Sequence, residues 1–149
     1  MEILRTPDEC FDNLEDYPFE PNYIDIEHDD QTLRMHYLDE NSESKEVVLL
    51  MHGEPTWSYL YRKIIPILVS NGKRVIAPDL IGFGKSDKPA SRDDYSYANH
   101  ISWVEALLKK LNLKNIIFFA QDWGGLIGLR LLAKYPCLLY TSPSPRDGW

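Results

Sequence analysis

The chain has 149 residues and a net charge of −7, and apolar residues make up 44% of it. This length and composition fit one globular domain with a hydrophobic core and argue against intrinsic disorder. The negative charge disfavours a nucleic-acid partner, and no apolar run reaches the roughly 20 residues that span a bilayer. The first residues lack the basic and apolar pattern of a secretion signal, so we expect a cytoplasmic protein without a membrane partner.

The first half of the chain changes character at residue 47. Residues 1–22 are polar and interrupted by prolines, and we expect them to form an extended N-terminal arm. The alternating runs 23–27 and 32–38 predict an antiparallel hairpin. Residues 47–51 are continuously apolar, which is typical of a strand buried on both faces of a parallel sheet.

From there on, short apolar strands alternate with helix-spaced segments. A helix is predicted over residues 57–69, although Pro66 limits or bends it. The remaining predicted elements are, in chain order, a strand at 74–77, an amphipathic helix at 95–111, a strand at 116–120 and a helix at 126–134. Such alternation predicts an α/β fold over residues 23–136, a mostly parallel sheet with helices on both faces and right-handed crossovers.

Residues 137–149 do not continue this pattern. Pro143 and Pro145 disfavour a central strand or a helix there. The stretch is also similar to translated sequencing-adapter DNA, so we expect a non-native tail in place of the next strand and helix. The apolar strand 116–120 would then lack a neighbour on one side and present an exposed edge.

The six residues Ala120-Gln121-Asp122-Trp123-Gly124-Gly125 carry the clearest chemical signal. They have the small-x-nucleophile-x-Gly form of a nucleophile elbow, in which a strand turns sharply into a helix and holds one side chain over the sheet. Serine usually occupies the middle position, whereas this chain has Asp122. A carboxylate attacks a saturated carbon and becomes an ester that water then cleaves. The elbow therefore indicates hydrolysis at carbon–halogen bonds or at epoxides.

The sequence His52-Gly53-Glu54-Pro55 follows the strand at 47–51 and predicts the second half of the site. In hydrolases with such an elbow, a backbone N–H of this loop and the N–H after the nucleophile form an oxyanion hole. We therefore assign the N–H groups of Glu54 and Trp123 to the hole, and the Glu54 side chain is a candidate for placing the water. The Trp123 indole donates without accepting, which suits binding of a departing halide, although simple packing beside the elbow is the alternative.

No other residues predict a cofactor or a metal site. Cys10 and Cys137 lie far apart without a Cys-x-x-Cys spacing, so neither a zinc site nor a disulfide is indicated. His28, His36 and His100 are interpreted as surface or partly buried residues rather than as a catalytic base.

The chain resembles the haloalkane dehalogenases of the α/β-hydrolase superfamily over residues 3–136. The resemblance rests on three segments, which are residues 52–62, residues 77–79 together with 82–89, and residues 121–125. It is to the branch with Glu after His-Gly, because Glu54 replaces the Asn whose amide binds halide in the other branch. Gln121 suits the same branch, since epoxide hydrolases more often have His before the nucleophile.

The resemblance implies that Asp122 displaces halide from a small haloalkane while Trp123 holds the anion, and that water then cleaves the ester. It also implies a histidine base, its acid partner, a cap domain and a second halide-binding Trp, all of which this chain lacks. We therefore expect an incomplete, inactive piece of a dehalogenase that is poorly soluble when expressed alone. Two alternatives stay open, an epoxide hydrolase with the same Asp122 elbow and a non-catalytic binding protein with a hydrolase-like fold.

Overall fold

A six-stranded mixed sheet forms the centre of the fold, and the structure, a computed structural model, describes residues 1–141. Its strands, with a separate two-stranded ribbon of β1 and β6, are β1 (Ile3–Leu4), β2 (Asn22–His28), β3 (Gln31–Glu40), β4 (Val47–Met51), β5 (Arg74–Pro78), β6 (Lys88–Pro89), β7 (Ile116–Ala120) and β8 (Leu139–Thr141). The strand order in the large sheet is β2-β3-β5-β4-β7-β8.

The central strand β4 is parallel to both of its neighbours, β5 and β7. All five of its residues are buried, which explains their continuous apolar character. The predicted hairpin is present as β2 and β3, and it joins the sheet through an antiparallel pairing of β3 with β5. The prediction of an α/β fold is confirmed, and the hairpin adds an antiparallel edge that makes the sheet mixed.

Three helices cover the two faces of the sheet, namely α1 (Ile64–Ser70), α2 (Tyr97–Lys110) and α3 (Trp123–Lys134). Helix α1 buries Ile65 in a core on one face, together with Leu50 and Val75. Helices α2 and α3 pack on the other face, where their apolar stripes share a core with Leu49. The sequence prediction of helices on both faces is therefore confirmed.

Two helices begin at residues other than those predicted, and the residues at their N-termini explain the differences. The predicted helix 57–69 divides into a short 3-10 turn, Ser58–Tyr61, and α1, which carries Pro66 in its first turn. Proline is tolerated there because the first-turn N–H groups have no acceptor within the helix. Helix α2 starts two residues later than predicted because Ser96 caps it, its Oγ accepting from the Asn99 N–H at 3.0 Å.

The N-terminal arm is held against the rest of the fold rather than extended away from it. Strand β1 pairs with β6, and the Arg5 guanidinium donates to both carboxylate oxygens of Asp87, at 2.7 and 2.9 Å. The Tyr17 side chain is buried, and its hydroxyl lies 2.6 Å from the Ser58 Oγ. The arm therefore contributes to the core, while its limit at residue 22 stays a prediction.

The apolar edge at β7 is partly covered. Strand β8 pairs in parallel with Ile116 and Ile117, so the expectation of an unpaired edge is wrong for these two residues. Farther along β7, the Phe119 side chain is 47% exposed. Most of the tail interpreted as non-native, including Pro143 and Pro145, lies outside the described residues.

Candidate functional site

Asp122 lies between β7 and α3 in a backbone conformation that few residues adopt. Its φ and ψ angles are 54° and −126°, outside the regions favoured by residues with a Cβ. Hydrogen bonds close the turn, from the Gly124 N–H to the Gln121 carbonyl at 3.1 Å and from the Gly125 N–H to the Asp122 carbonyl at 2.9 Å. Helix α3 therefore begins at Trp123 rather than at the predicted residue 126, and the turn leaves the Asp122 side chain exposed.

Two glycines allow neighbouring segments to approach this turn. A Cβ on Gly53 would overlap the Asp122 Cβ and lie 2.7 Å from its Oδ2. A Cβ on Gly124 would lie 2.5 Å from the Met51 carbonyl oxygen and overlap that of His52. Both positions accept only glycine without movement of backbone, because real Cβ contacts do not occur at such distances.

The backbone of Glu54 contacts the Asp122 carboxylate directly. The Glu54 N–H donates to Oδ2 of Asp122 at 3.0 Å. In the part of the chain that the structure describes, Oδ1 of Asp122 accepts no hydrogen bond. The Trp123 N–H is at the first position of α3, where backbone donors have no acceptor within the helix. Of the two N–H groups predicted for an oxyanion hole, that of Glu54 contacts the carboxylate, and that of Trp123 belongs to the residue directly after Asp122 in the chain.

His52 holds the loop that carries Glu54. Its side chain is fully buried, and its Nε2 accepts from the Leu80 N–H at 2.9 Å. Because Nε2 accepts, the ring proton is on Nδ1, which donates to the Gly53 carbonyl at 2.9 Å. Burial lowers the pKa of His52, which keeps the ring neutral. With both nitrogens engaged, His52 stabilises the loop and is not available as a base.

The Trp123 side chain is partly exposed beside Asp122. It is 38% exposed, and its ring lies 6.2 Å from the ring of Tyr97, centroid to centroid. The Tyr97 hydroxyl donates to the Leu126 carbonyl at 2.8 Å, which ties the start of α2 to the first turns of α3. An open cleft of about 440 Å³ starts here, and Glu54, Trp123, Tyr97 and His100 contribute to its walls. Its lining does not include Asp122, so the cleft lies beside the elbow.

None of the other histidines hydrogen-bonds Asp122 within residues 1–141. His28 and His100 are partly buried, as expected, whereas His36 is completely buried and the expectation of a surface or partly buried residue is wrong for it. A hydrogen bond of its Nδ1 with Oδ2 of Asp79, at 2.8 Å, compensates the burial of that ring nitrogen.

We expect the burial of His100 to lower the free energy of unfolding in mild acid. Burial lowers the pKa of His100 from 6.5 to about 4. The unfolded chain binds this proton at higher pH than the folded chain. The contribution of His100 to the free energy of unfolding is therefore complete above pH 6.5 and is lost as the pH falls toward 4. Urea unfolding at about pH 7.5 and about pH 5.5 is expected to show a loss on the order of 1 kcal/mol from this residue.

A His100→Gln variant separates this effect from that of other titrating groups. Glutamine keeps a polar side chain of similar length but does not titrate. The variant is expected to lose less stability between the two pH values than the unmodified chain. Equal losses in the two proteins would contradict the assignment to His100.

Residues 1–141 contain neither a recognisable metal centre nor a helix that could span a membrane. Among residues 1–141, no group of three or more His, Cys, Asp or Glu side chains is arranged to hold a metal ion. Over the same range, none of the helices combines the length and the apolar character that crossing a bilayer requires.

Two features near the site were missed by sequence reasoning. Gly53 and Gly124 were read as parts of motifs, yet their role is steric and depends on segments distant in the chain. Asp79 has no assigned role in the sequence prediction, although it is fully buried and hydrogen-bonded. A signal was present for Asp79, because it directly follows the buried strand β5 and functional residues often lie at the carboxyl ends of parallel strands.

Comparison with known proteins gives consistent similarities. The chain is 60% identical over 137 residues to a haloalkane dehalogenase of Psychrobacter cryohalolentis and 56% identical over 137 residues to one of Mycolicibacterium paratuberculosis. These matches cover 91% of this chain but only 45% and 46% of the two relatives. The chain thus spans a little under half the length of the curated relatives it matches.

Solved structures show the same relationship. The haloalkane dehalogenase DpaA from Paraglaciecola agarilytica superposes with a TM-score of 0.89 at 45% identity, covering 93% of this chain and 47% of that one. An epoxide hydrolase from Vigna radiata superposes with a TM-score of 0.69 at 30% identity, covering 83% of this chain and 37% of the other. The α/β hydrolase fold family matches residues 46–139, which include β4, the Glu54 loop and the Asp122 elbow. The chain therefore belongs to the α/β hydrolase fold family.

Proposed function

We propose that the whole protein hydrolyses haloalkanes through an ester on Asp122. This chain carries the residues for the first step, in which the haloalkane alkylates Asp122. The observation that carries the proposal is the 3.0 Å hydrogen bond from the Glu54 N–H to Oδ2 of Asp122, at a backbone conformation that exposes the carboxylate. The similarity at 60% identity to a haloalkane dehalogenase supports the choice of substrate class.

The two carboxylate oxygens of Asp122 have different roles in this proposal. Oδ1 attacks the carbon, since it accepts no hydrogen bond from the described residues, while Oδ2 stays bound to the Glu54 N–H. The carbon–oxygen bond forms as the carbon–halogen bond breaks, and the bonding pair leaves with the halide. The carboxylate becomes a neutral ester whose carbonyl oxygen is Oδ2.

Trp123 acts twice in the proposed reaction. Its indole N–H stabilises the departing halide, which gains a full negative charge as the bond breaks. Its backbone N–H joins that of Glu54 in stabilising the oxyanion that forms on Oδ2 when water attacks the ester. The partial exposure of the indole, 38%, leaves it accessible to an anion.

Cleavage of the ester needs a base, and none of the residues that the structure describes supplies one at Asp122. Within the described residues no histidine hydrogen-bonds that carboxylate, and His52 has both ring nitrogens engaged. Without a base to activate water, the ester persists. We therefore propose that the chain alone reacts once with a haloalkane and then stops.

An epoxide hydrolase is the second candidate, supported by the Vigna radiata structure that superposes at 30% identity. A carboxylate elbow followed by tryptophan serves both reactions, so Asp122 and Trp123 do not separate them. Glu54 and Gln121 favour the dehalogenase, as argued from the sequence. A purely binding protein is disfavoured, since the Glu54 N–H remains aimed at the carboxylate.

The test measures halide release and covalent labelling of the chain. We expect 1-bromobutane to release one bromide per chain and to leave a butyl group on the peptide that contains Asp122, detected by mass spectrometry. Labelling by 1,2-epoxybutane without bromide release from 1-bromobutane would move the assignment to an epoxide hydrolase. Labelling by neither reagent would overturn the proposal that this chain by itself is alkylated at Asp122.

The remaining parts of the proposal concern partners and location. The proposed ligands are a small haloalkane, water and the halide product. A cytoplasmic location is supported by the thiol of Cys10, which is free, as is usual in a reducing compartment.

A further inference from the structure

A second carboxylate, Asp79, is fully buried at the end of β5. It has no part in the chemistry proposed above. Oδ1 accepts from the Ser58 N–H at 2.7 Å. Oδ2 accepts from the Lys85 N–H at 2.9 Å and from Nδ1 of His36 at 2.8 Å. Each oxygen of this buried carboxylate thus has a donor.

Asp79 and its neighbour Leu80 hold both ends of the loop that carries Glu54. The Leu80 N–H donates to Nε2 of His52 at the start of the loop, at 2.9 Å, and Asp79 accepts from the Ser58 N–H at its end. Between these ends lies the Glu54 N–H that contacts Asp122. Two adjacent residues that follow β5 therefore contact both ends of the loop that carries this N–H.

The surroundings of Asp79 make its end of the loop rigid. A Cβ on Gly84 would overlap the Asp79 carboxylate, so the loop 80–87 closes tightly over it. Burial disfavours the charged form, but the hydrogen bonds from His36 and from the Lys85 N–H outweigh it and lower the pKa of Asp79. Hydrogen bonds to an ionised carboxylate are about twice as strong as those between neutral groups.

We propose that Asp79 is a positioning residue, which fixes the Glu54 N–H against Oδ2 of Asp122 through its hydrogen bond with the Ser58 N–H. The proposal rests on the proposed function only for its kinetic consequence. The geometric part concerns the free protein and is measured without any substrate.

The experiment compares two buried carboxylates of the same loop in the full chain labelled with ¹⁵N. In the Asp79→Asn variant, the Glu54 amide proton is expected to move upfield as its hydrogen bond with Asp122 lengthens. The rate of Asp122 alkylation by 1-bromobutane is expected to fall about tenfold or more, as for other small misplacements of reacting groups. The control is Asp87→Asn, because Asp87 is equally buried but binds Arg5 and the Arg34 N–H instead of the Glu54 loop.

The two variants are expected to lose similar amounts of free energy of unfolding but to differ in the chemical shift of the Glu54 amide proton. An unchanged Glu54 signal in Asp79→Asn, or an equal shift in Asp87→Asn, would overturn the proposal. If the unmodified chain releases no bromide while the Glu54 signal responds as expected, the proposed function fails and the positioning role of Asp79 stands.

Hydrogen exchange in the unmodified chain tests the same contact if Asp79→Asn does not fold. The Ser58 and Leu80 amides are then expected to be protected and to exchange through one common opening, since both hold the same loop. A Ser58 amide that exchanges as fast as an unprotected one would overturn the proposal.

Discussion

Replacing Asp122 by asparagine is expected to abolish both bromide release and labelling of the chain by 1-bromobutane. The neutral amide lacks the charge that displaces a halide, so we expect the rate to fall at least about a thousandfold. Asparagine is nearly isosteric with aspartate and is one of the residues that most readily accept a positive φ. The variant should therefore fold like the unmodified chain, whose φ at this residue is 54°.

The measurement is single-turnover bromide release combined with the mass of the labelled peptide. Asp93→Asn is the matched control, since Asp93 is also exposed but lies in a turn before α2. The control should react at the rate of the unmodified chain. Labelling of Asp122→Asn at an undiminished rate would show that another residue is alkylated and would refute the nucleophile assignment.

Replacing Gly124 by alanine is expected to destabilise the fold strongly. The new Cβ would lie 2.5 Å from the Met51 carbonyl oxygen and overlap that of His52, and neither backbone group can move without disturbing β4. Added methyl groups in close-packed sites typically cost 1–3 kcal/mol, and the rigid neighbours here suggest a loss of about 3 kcal/mol or more in the free energy of unfolding.

The adjacent Gly125 provides a control with the opposite sign. A Cβ there would meet no atom within 4 Å. Because alanine is the better helix former, Gly125→Ala in α3 should raise the free energy of unfolding by roughly 0.5–1 kcal/mol. Urea unfolding measures the free energy of unfolding of both variants. Similar midpoints for the two would contradict the close approach of α3 to the end of β4.

The secondary structure near the site was predictable because it follows from short-range patterns. The buried strand Val47–Met51 matched its prediction at both ends, since five apolar residues in a row suit a strand covered on both faces. The elbow was recognisable from a few residues for the same reason, because a strand, a small residue and two glycines determine the turn locally.

Element boundaries and burial were less predictable. Helix α3 begins at Trp123, three residues before the predicted start, because the turn at Asp122 leads directly into it. The burial of His36 was missed because its compensating partner, Asp79, is 43 residues away in the chain. The pairing of β8 with β7 could not be inferred from the composition of a segment rich in leucine, tyrosine and proline.

The sequence by itself determined the alternation of strands and helices, the elbow at Asp122 and the kind of chemistry that a carboxylate supports there. Only the tertiary structure showed that the Glu54 N–H reaches the Asp122 carboxylate across 68 residues of chain, and that Asp79 accepts from the Ser58 N–H at the end of the Glu54 loop. The physical reason is that periodicity and turn propensity act over a few residues. Contacts between distant segments depend instead on how closely the backbone segments pack, which here depends on the absence of a side chain at Gly53 and Gly124.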